Sequence, residues 1–312
     1  MMNSLTSLIR ARAQELGIQK IGIARAERLD IEGERLRQWV ERGYSGSMSW
    51  MGRNVERRVD PREVLTGANS VLVAAVNYYT DIQHSDDPST GKISRYAWGD
   101  DYHDVVKKKL DLLLEYIKTV CPDAEGRVYV DTGPIMEKVW AQRAGIGWEG
   151  KHTNVISIEY GSWIFLGEIL LTLELEYDAP ALDHCGTCTL CIDVCPTDAI
   201  SEPYVVDSNR CISYLTIEHR GEIAVSLGEN FDRWVYGCDI CQDVCPWNEK
   251  FASPSSTDAF LPRERNIAPP LAGLIGMTQE EFSRSFSKSP IKRTKLSGLQ
   301  RNARVVAKTS TS

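Results

Sequence analysis

Leu5, Leu8, Ile9, Ala13 and Leu16 recur at helical spacing, and Gly17 supplies a stop, so an amphipathic helix is expected over residues 1–16 and a short strand over 18–24. A second helix follows over 34–42, ended by Gly43. Residues 70–79 (SVLVAAVNYY) are almost continuously apolar and of strand length, the pattern of a strand buried on both faces. A long amphipathic helix over 102–120, a strand over 127–131 and a helix over 134–144 come next, with Pro134 at a permitted early position. Segments 155–159 and 162–171 flank Tyr160-Gly161 and read as a hairpin. Strands alternate with helices throughout, which predicts one α/β or α+β domain over residues 1–177.

At Tyr177-Asp178-Ala179-Pro180 the pattern changes, and cysteines appear every few residues while hydrophobic periodicity fades. A second domain is therefore expected over 178–253. Residues 254–312 form a Pro- and Ser-bearing extension with a helix expected near 278–286. The 312 residues, 42% apolar and 25% charged, suffice for two moderate hydrophobic cores. The start combines no basic segment, apolar stretch and small-residue cleavage site, which points to the cytoplasm. The best membrane candidate, 162–173, is short of the roughly 20 residues a span requires and is interrupted by Gly167 and Glu168. The net charge of −7 conceals a basic tail, because residues 282–312 hold eight Lys/Arg and no Asp/Glu. Such a tail suits a phosphate-backbone partner, and equally a solvated, partly frayed terminus.

Nine cysteines in a reducing compartment point to metal rather than to disulfides. Cys185, Cys188, Cys191 and Cys195 with Pro196 form C-x2-C-x2-C-x3-C-P, the run that wraps a [4Fe-4S] cube in bacterial ferredoxins. Its fourth cysteine ligates the other cube of a two-cluster protein. Cys238, Cys241 and Cys245 with Pro246 supply the reciprocal run, and Cys211 lies between. By that crossover, one cluster takes Cys185, Cys188, Cys191 and Cys245, and the other takes Cys195, Cys211, Cys238 and Cys241. Paired zinc knuckles are the competing reading, disfavoured by the two Cys-Pro endings. Cys121 is left over as a structural thiol.

Four thiolates per cluster leave no open iron, so the clusters are relays and the bond-breaking belongs to another cofactor. No G-x-G-x-x-G follows a strand and no P-loop occurs, which excludes the common nucleotide sites. The C-x3-C-x2-C spacing of radical S-adenosylmethionine enzymes is absent too. Asp131 ends a strand just ahead of a helix, where α/β folds place functional groups. It could donate a proton if burial raised its pKa, or simply cap the helix that follows.

The segment from Tyr236 to Asn248 (YGCDICQDVCPWN) resembles the epoxyqueuosine reductase family. So do Ser94-Arg95-Tyr96-Ala97-Trp98-Gly99, Asp101-Tyr102-His103, Asp131-Thr132-Gly133, Arg143-Ala144-Gly145-Ile146-Gly147, Gly161-Ser162 and Cys211-Ile212-Ser213. The resemblance implies an α+β chain. It comprises an N-terminal, nitroreductase-like cobalamin-binding domain, a ferredoxin-like domain with two [4Fe-4S] clusters, and a short helical, basic tail. It also implies reduction of epoxyqueuosine at the tRNA wobble position, with cobalamin driven by the clusters to its nucleophilic Co(I) state and Asp131 as proton donor. Carried over by position, cobalamin contacts fall on Arg58, Ser94, Asp131, Val155, Ser157, Leu166 and Ser213. No D-x-H-x-x-G offers the cobalt a histidine, and Ser94 stands where some members have Cys.

Some relatives continue into helical repeats beyond the point where this chain ends, so the expected tRNA grip falls on Lys292, Arg293, Lys295, Arg301 and Arg304. An electron donor such as a flavodoxin or ferredoxin and a monomeric state complete the expectation. The alternatives are a cobalamin-dependent reductive dehalogenase, which usually carries an export signal, and a plain ferredoxin-type carrier, which would not need the first domain.

Overall fold

The computed structural model describes residues 4–309. Helix α1 (Leu5–Glu15) starts where the Ser4 hydroxyl accepts from the Ser7 N–H, and it leads into strand β1 (Lys20–Arg25). Helix α2 (Asp30–Glu41) precedes β2 (Ser70–Asn77), in which every residue is buried, as the apolar run predicts. Then come α3 (Tyr102–Val120), β3 (Gly126–Tyr129), α4 (Glu137–Arg143) and β4 (Ile164–Leu171). The four strands form one sheet in the order β1-β2-β4-β3, with every neighbour antiparallel, so this region is α+β rather than a parallel α/β layer.

Alternate residues of β2 serve opposite sides of the sheet. Leu72, Ala74 and Val76 join a cluster with Ile9 of α1 and Val106, Leu110, Leu113 and Ile117 of α3. Val71, Val73 and Ala75 pack with Trp140 and Ala141 of α4 and with Leu170 of β4. A third cluster joins Ile93 and Trp98 to Ile212, Leu215, Trp234 and Tyr236, and to Phe282 and Phe286 of the extension. The expected helix near 278–286 is Gln279–Ser285, begun by a Thr278/Glu281 capping box.

The hairpin expected over 155–171 does not form. Ser157 and Gly161 exchange backbone hydrogen bonds of 2.8 and 3.0 Å, but Val155–Ile156 then pairs with Trp148–Glu149, while β4 runs between β2 and β3. Gly161 turns the chain at φ 61° directly under Asn248, and a Cβ there would lie 2.1 Å from the Asn248 Oδ1. A local apolar run cannot say which strand it will pair with, and here the nonlocal partners win.

The terminal segment is no frayed tail as far as Thr309. Helix α5 (Lys295–Thr309) buries Leu299, Ala303 and Val306 completely in the third cluster. Asn302 Nδ2 donates to the carbonyls of Thr216 and Val235 at 2.8 and 2.9 Å. The helix therefore backs the segments that follow Cys211 and precede Cys238. Among the described residues no helix is long and apolar enough to cross a membrane.

Leu299→Ala removes a fully buried side chain and should cost about 2–5 kcal/mol. Thermal scans of the cluster-loaded protein should show a lower midpoint and bleaching of the iron-sulfur absorbance at a lower temperature. An unchanged midpoint would mean that α5 is not part of the core.

Candidate active site

All nine cysteines are free. Two cavities divide eight of them. One of about 200 Å³ is lined by Cys185, Cys188, Cys191 and Cys245, the other, of about 350 Å³, by Cys195, Cys211, Cys238 and Cys241. This is the crossover grouping that the spacing implies. Among the described residues no three His, Cys, Asp or Glu side chains close on a single ion, so each set stands around a volume. Lys151 Nζ pins the first set, donating to the carbonyls of Gly186 at 2.7 Å and Cys188 at 2.9 Å. In the second, the Ala199 N–H lies 3.3 Å from Cys195 Sγ. Burial, with neighbouring sulfurs adding to it, raises the thiols, Cys191 to about 11 and Cys238 and Cys241 well above the ordinary value. Thiols this reluctant to ionise lose their protons through metal binding.

The second set is locked to the first domain by buried polar bonds. Asp239, between Cys238 and Cys241, is fully buried and takes the Ser94 hydroxyl, the Arg95 N–H at 2.9 Å and Arg95 Nη1 at 3.2 Å. Arg95 Nη1 also reaches Asp243 at 2.8 Å. On the other side, Asn248 Oδ1 accepts the Ser162 N–H at 2.6 Å while its Nδ2 donates to the Ser162 hydroxyl at 2.8 Å. The motifs around Ser94 and Ser162 thus meet the cysteine motif they accompany in the sequence.

Asp131 lines the larger cavity together with the second cysteine set. It leaves β3 in the left-handed region, φ 57°, a conformation that is strained for a residue with a side chain. Its side chain is 58% accessible because it faces the cavity, and Oδ2 lies 3.2 Å from His103 Nε2. His103 Nδ1 is 2.7 Å from Asp101 Oδ1, and Asp101 is placed by capping α3. Burial opposes charge on His103, but bonds and attraction to Asp101 and Asp131 outweigh it and hold its pKa at about 9. Burial likewise works to raise Asp131, yet His103, with Tyr102 and Lys138, brings the carboxyl below its ordinary value. The expectation of a raised acid is therefore reversed: at neutral pH the proton of this pair rests on His103. The helix-capping alternative fails as well, since α4 begins after Met136 with no side-chain cap.

Ser94, Leu166 and Ser213 line the same cavity. Arg58, Val155 and Ser157 do not: Arg58 donates to the Trp50 carbonyl at 3.3 Å, Val155 sits in its short strand, and Ser157 donates to Glu159 at 2.5 Å. In the tail, Arg301 turns inward and binds the carbonyls of Leu215, His219 and Gly221, and Arg293 pairs with Glu218 at 2.7 Å. Lys292, Lys295 and Arg304 remain exposed. Sequence reasoning passed over His103 as a partner of Asp131, as well as Glu137 and His152. Burial lowers His152 to about 4. Its Nδ1 accepts the Asn154 N–H at 3.1 Å and its Nε2 is buried without a partner. His152 lines both cavities. The Asp101-Tyr102-His103 motif, with a histidine two residues after an N-capping Asp, marks His103 in the sequence.

Residues 58–132 match the family model described as epoxyqueuosine reductase QueG, DUF1730, and residues 184–248 match the 4Fe-4S double cluster binding domain. The chain is 50% identical to the epoxyqueuosine reductase of Synechocystis sp., over 88% of this chain and 94% of that protein. The chain belongs to the epoxyqueuosine reductase family. The Leadbetterella byssophila epoxyqueuosine reductase is 46% identical over 96% of this chain and 98% of its own. A solved epoxyqueuosine reductase in complex with an epoxyqueuosine-modified tRNA-Tyr stem loop superposes at a TM-score of 0.92 with 32% identity, covering 98% of this chain and 81% of that one. The Bacillus subtilis epoxyqueuosine reductase, solved with its aspartate-bearing catalytic loop swung out of the active site, gives 0.91 with 30% identity over 98% and 82%. Epoxyqueuosine reductases are oxidoreductases of tRNA queuosine biosynthesis, so membership displaces the plain carrier and the dehalogenase readings.

If the Asp101–His103–Asp131 chain holds as described, Asp131→Asn should lower the His103 pKa from about 9 toward the ordinary value of about 6.5. Because the folded-state value is the higher one, His103 stabilises the fold at low pH, and that contribution fades as pH rises through about 9. NMR titration of the imidazole in both proteins checks this. An unmoved His103 would show that Asp131 does not govern it.

Proposed function

We propose that the chain reduces epoxyqueuosine to queuosine in the anticodon loop of tRNA, using two [4Fe-4S] clusters, cobalamin, and Asp131 as proton donor. The observation that carries this reading is that Asp131 and the cysteines of the second set line one cavity. When bound, the clusters supply low-potential electrons and cobalamin the nucleophile that an epoxide carbon requires. The cavity suits such a cofactor: apolar Ile164, Phe165 and Leu166 share its wall with polar Lys138, Asn154 and Ser213, and the unpartnered His152 Nε2 is available as a donor. Ser94, Asp131, Leu166 and Ser213 would hold it from the cavity wall, which Arg58, Val155 and Ser157 do not line.

Removing an epoxide oxygen as water consumes two electrons and two protons. Asp131 faces the cavity as a carboxylate bonded to a charged His103, so it passes a proton outward as it takes one from Nε2. Asp101 keeps the ring oriented throughout. The Bacillus subtilis relative, with its catalytic loop swung out, supports a reading in which the Asp131-Thr132-Gly133 loop also moves. The first set, which reaches the surface at Cys188, is the entry for an electron donor of flavodoxin or ferredoxin type. We also divide the chain at 177/178 and 253/254 into catalytic, cluster-binding and C-terminal segments.

Anaerobic turnover of an epoxyqueuosine-bearing anticodon stem-loop, followed by nucleoside mass spectrometry, tests the reading. Asp131→Asn should keep the iron-sulfur and corrinoid absorbance yet lose about 10²–10⁴-fold in turnover. Undiminished turnover would remove Asp131 from the proton path.

For the tRNA, the exposed Lys292, Lys295 and Arg304 are the tail cations with heads turned to solvent. Replacing all three with Gln should weaken stem-loop binding and flatten its salt dependence by about 0.7–0.9 for each phosphate no longer neutralised. Equal affinity and slope would place the tRNA grip elsewhere.

A further inference from the structure

Glu168 is the polar interruption in an otherwise apolar strand, and it lies on the sheet face that carries Val71, Val73 and Leu170 and is covered by α4. It is 0% exposed, and neither of its carboxyl oxygens has a donor within hydrogen-bonding distance. An ionised carboxylate in such a place costs several kcal/mol, and no lysine or arginine approaches it to compensate. Its polar neighbour is another carboxyl, that of Glu137 at the start of α4. Glu137 Oε1 in turn accepts the backbone N–H of Asp131.

We propose that Glu168 is protonated at neutral pH and donates to Glu137, and that this carboxyl pair is the positioning device that holds the Asp131 backbone at the cavity wall. The proposal rests on the reading of Asp131 as the acid. Two adjacent buried carboxyls share one proton rather than both ionise. The proton belongs on Glu168: Glu137 already accepts an N–H, which favours its charged form, whereas Glu168 has no other bond to make. Burial, reinforced by the neighbouring charge of Asp131 and partly offset by the bond to Glu168, raises Glu137 to about 7, and burial with Glu137 beside it lifts Glu168 well above the ordinary carboxyl value.

The consequence concerns a strained residue. Asp131 at φ 57° needs an anchor for its N–H, since a non-glycine residue leaves the left-handed region when released. With the pair sharing its proton, Glu137 is turned toward that N–H. Once both carboxyls ionise, they repel, and the anchor is lost. The groups facing the pair are Asp131 from the loop after β3, Tyr102 and His103 from the start of α3, and Lys138 beside Glu137 on α4.

The experiment uses the full chain with its clusters in place. Infrared spectra at pH 7 should contain a protonated-carboxyl band that shifts in D2O and is missing from Glu168→Gln. Glu168→Leu, which matches its apolar surroundings, serves if the Gln protein does not fold. Hydrogen exchange of the Asp131 amide should be about tenfold faster in Glu137→Ala and return to the wild-type rate in Glu137→Gln, whose amide oxygen still accepts. After correction for base catalysis, that exchange should accelerate with rising pH in the wild type and not in Glu168→Gln. Absence of the carboxyl band, or an Asp131 amide no better protected in Glu137→Gln than in Glu137→Ala, overturns the proposal. A wild type that shows the band and the protection but leaves epoxyqueuosine untouched would instead sink the reductase reading and leave the carboxyl pair standing.

Discussion

The buried bond between Arg95 and Asp239 is the constraint on which the site depends. Asp239 is wholly enclosed, so its charge is tolerable only with the three donors that Ser94 and Arg95 present together. Those donors come from a short turn in the first part of the chain, whereas Asp239 sits between two cysteines some 140 residues later. Satisfying one carboxylate therefore docks Cys238 and Cys241 on the wall of the cavity that Asp131 also lines. Ser94 is consumed in this bond. Its hydroxyl hydrogen points at Asp239, which leaves only its lone pairs and its Cβ to a cofactor. A thiol at this position would hold Asp239 less firmly, because sulfur is the weaker donor.

Two further contacts keep the docking from hinging about that point. The Asn248 side chain fills both the donor and acceptor needs of Ser162, and only glycine at 161 lets the turn come close enough. From the far side, α5 presses Leu299 and Val306 into the cluster that holds Ile212 and Tyr236, the neighbours of Cys211 and Cys238. Arg301 reinforces the same surface through three backbone carbonyls. The terminal helix thus positions ligands as well as offering charge to a partner.

What could be read from the sequence was whatever is local. The cysteine sets were legible because ligands two and three residues apart constrain one another directly, and β2 was legible because burial on both faces writes itself as an unbroken apolar run. The fate of 162–171 was not, since its pairing with β2 and β3 is decided by residues about ninety and forty positions away. The resemblance implied a helical tail, but attention to its charges hid the buried face of the final helix, although Leu299, Ala303 and Val306 have helical spacing. Asp131 was found by its place at a strand end and by the motif around it. Its protonation state was not, because the groups that decide it, His103 and Lys138, arrive from two different helices.

That last difference changes what kind of acid this site contains. A carboxyl raised by burial alone would keep its own proton and release it once. Here the charge on His103 pulls Asp131 down, while Asp101 on the far ring nitrogen pushes His103 up to about 9. The proton is consequently held one bond back from the cavity, on a group that remains loaded across the neutral range, and in the proposed reaction the carboxylate at the wall would pass it on. Such a chain keeps a charged imidazolium from facing an apolar cofactor pocket directly. It also keeps the carboxylate that does face it neutralised from behind. The requirement this places on the protein is positional: Oδ2 of Asp131 must stay on Nε2 while its backbone occupies a strained conformation. Within the loop the Thr132 N–H donates to the Val130 carbonyl at 2.6 Å, while the Asp131 N–H is held from outside it. The first turn of α4 is where that hold comes from.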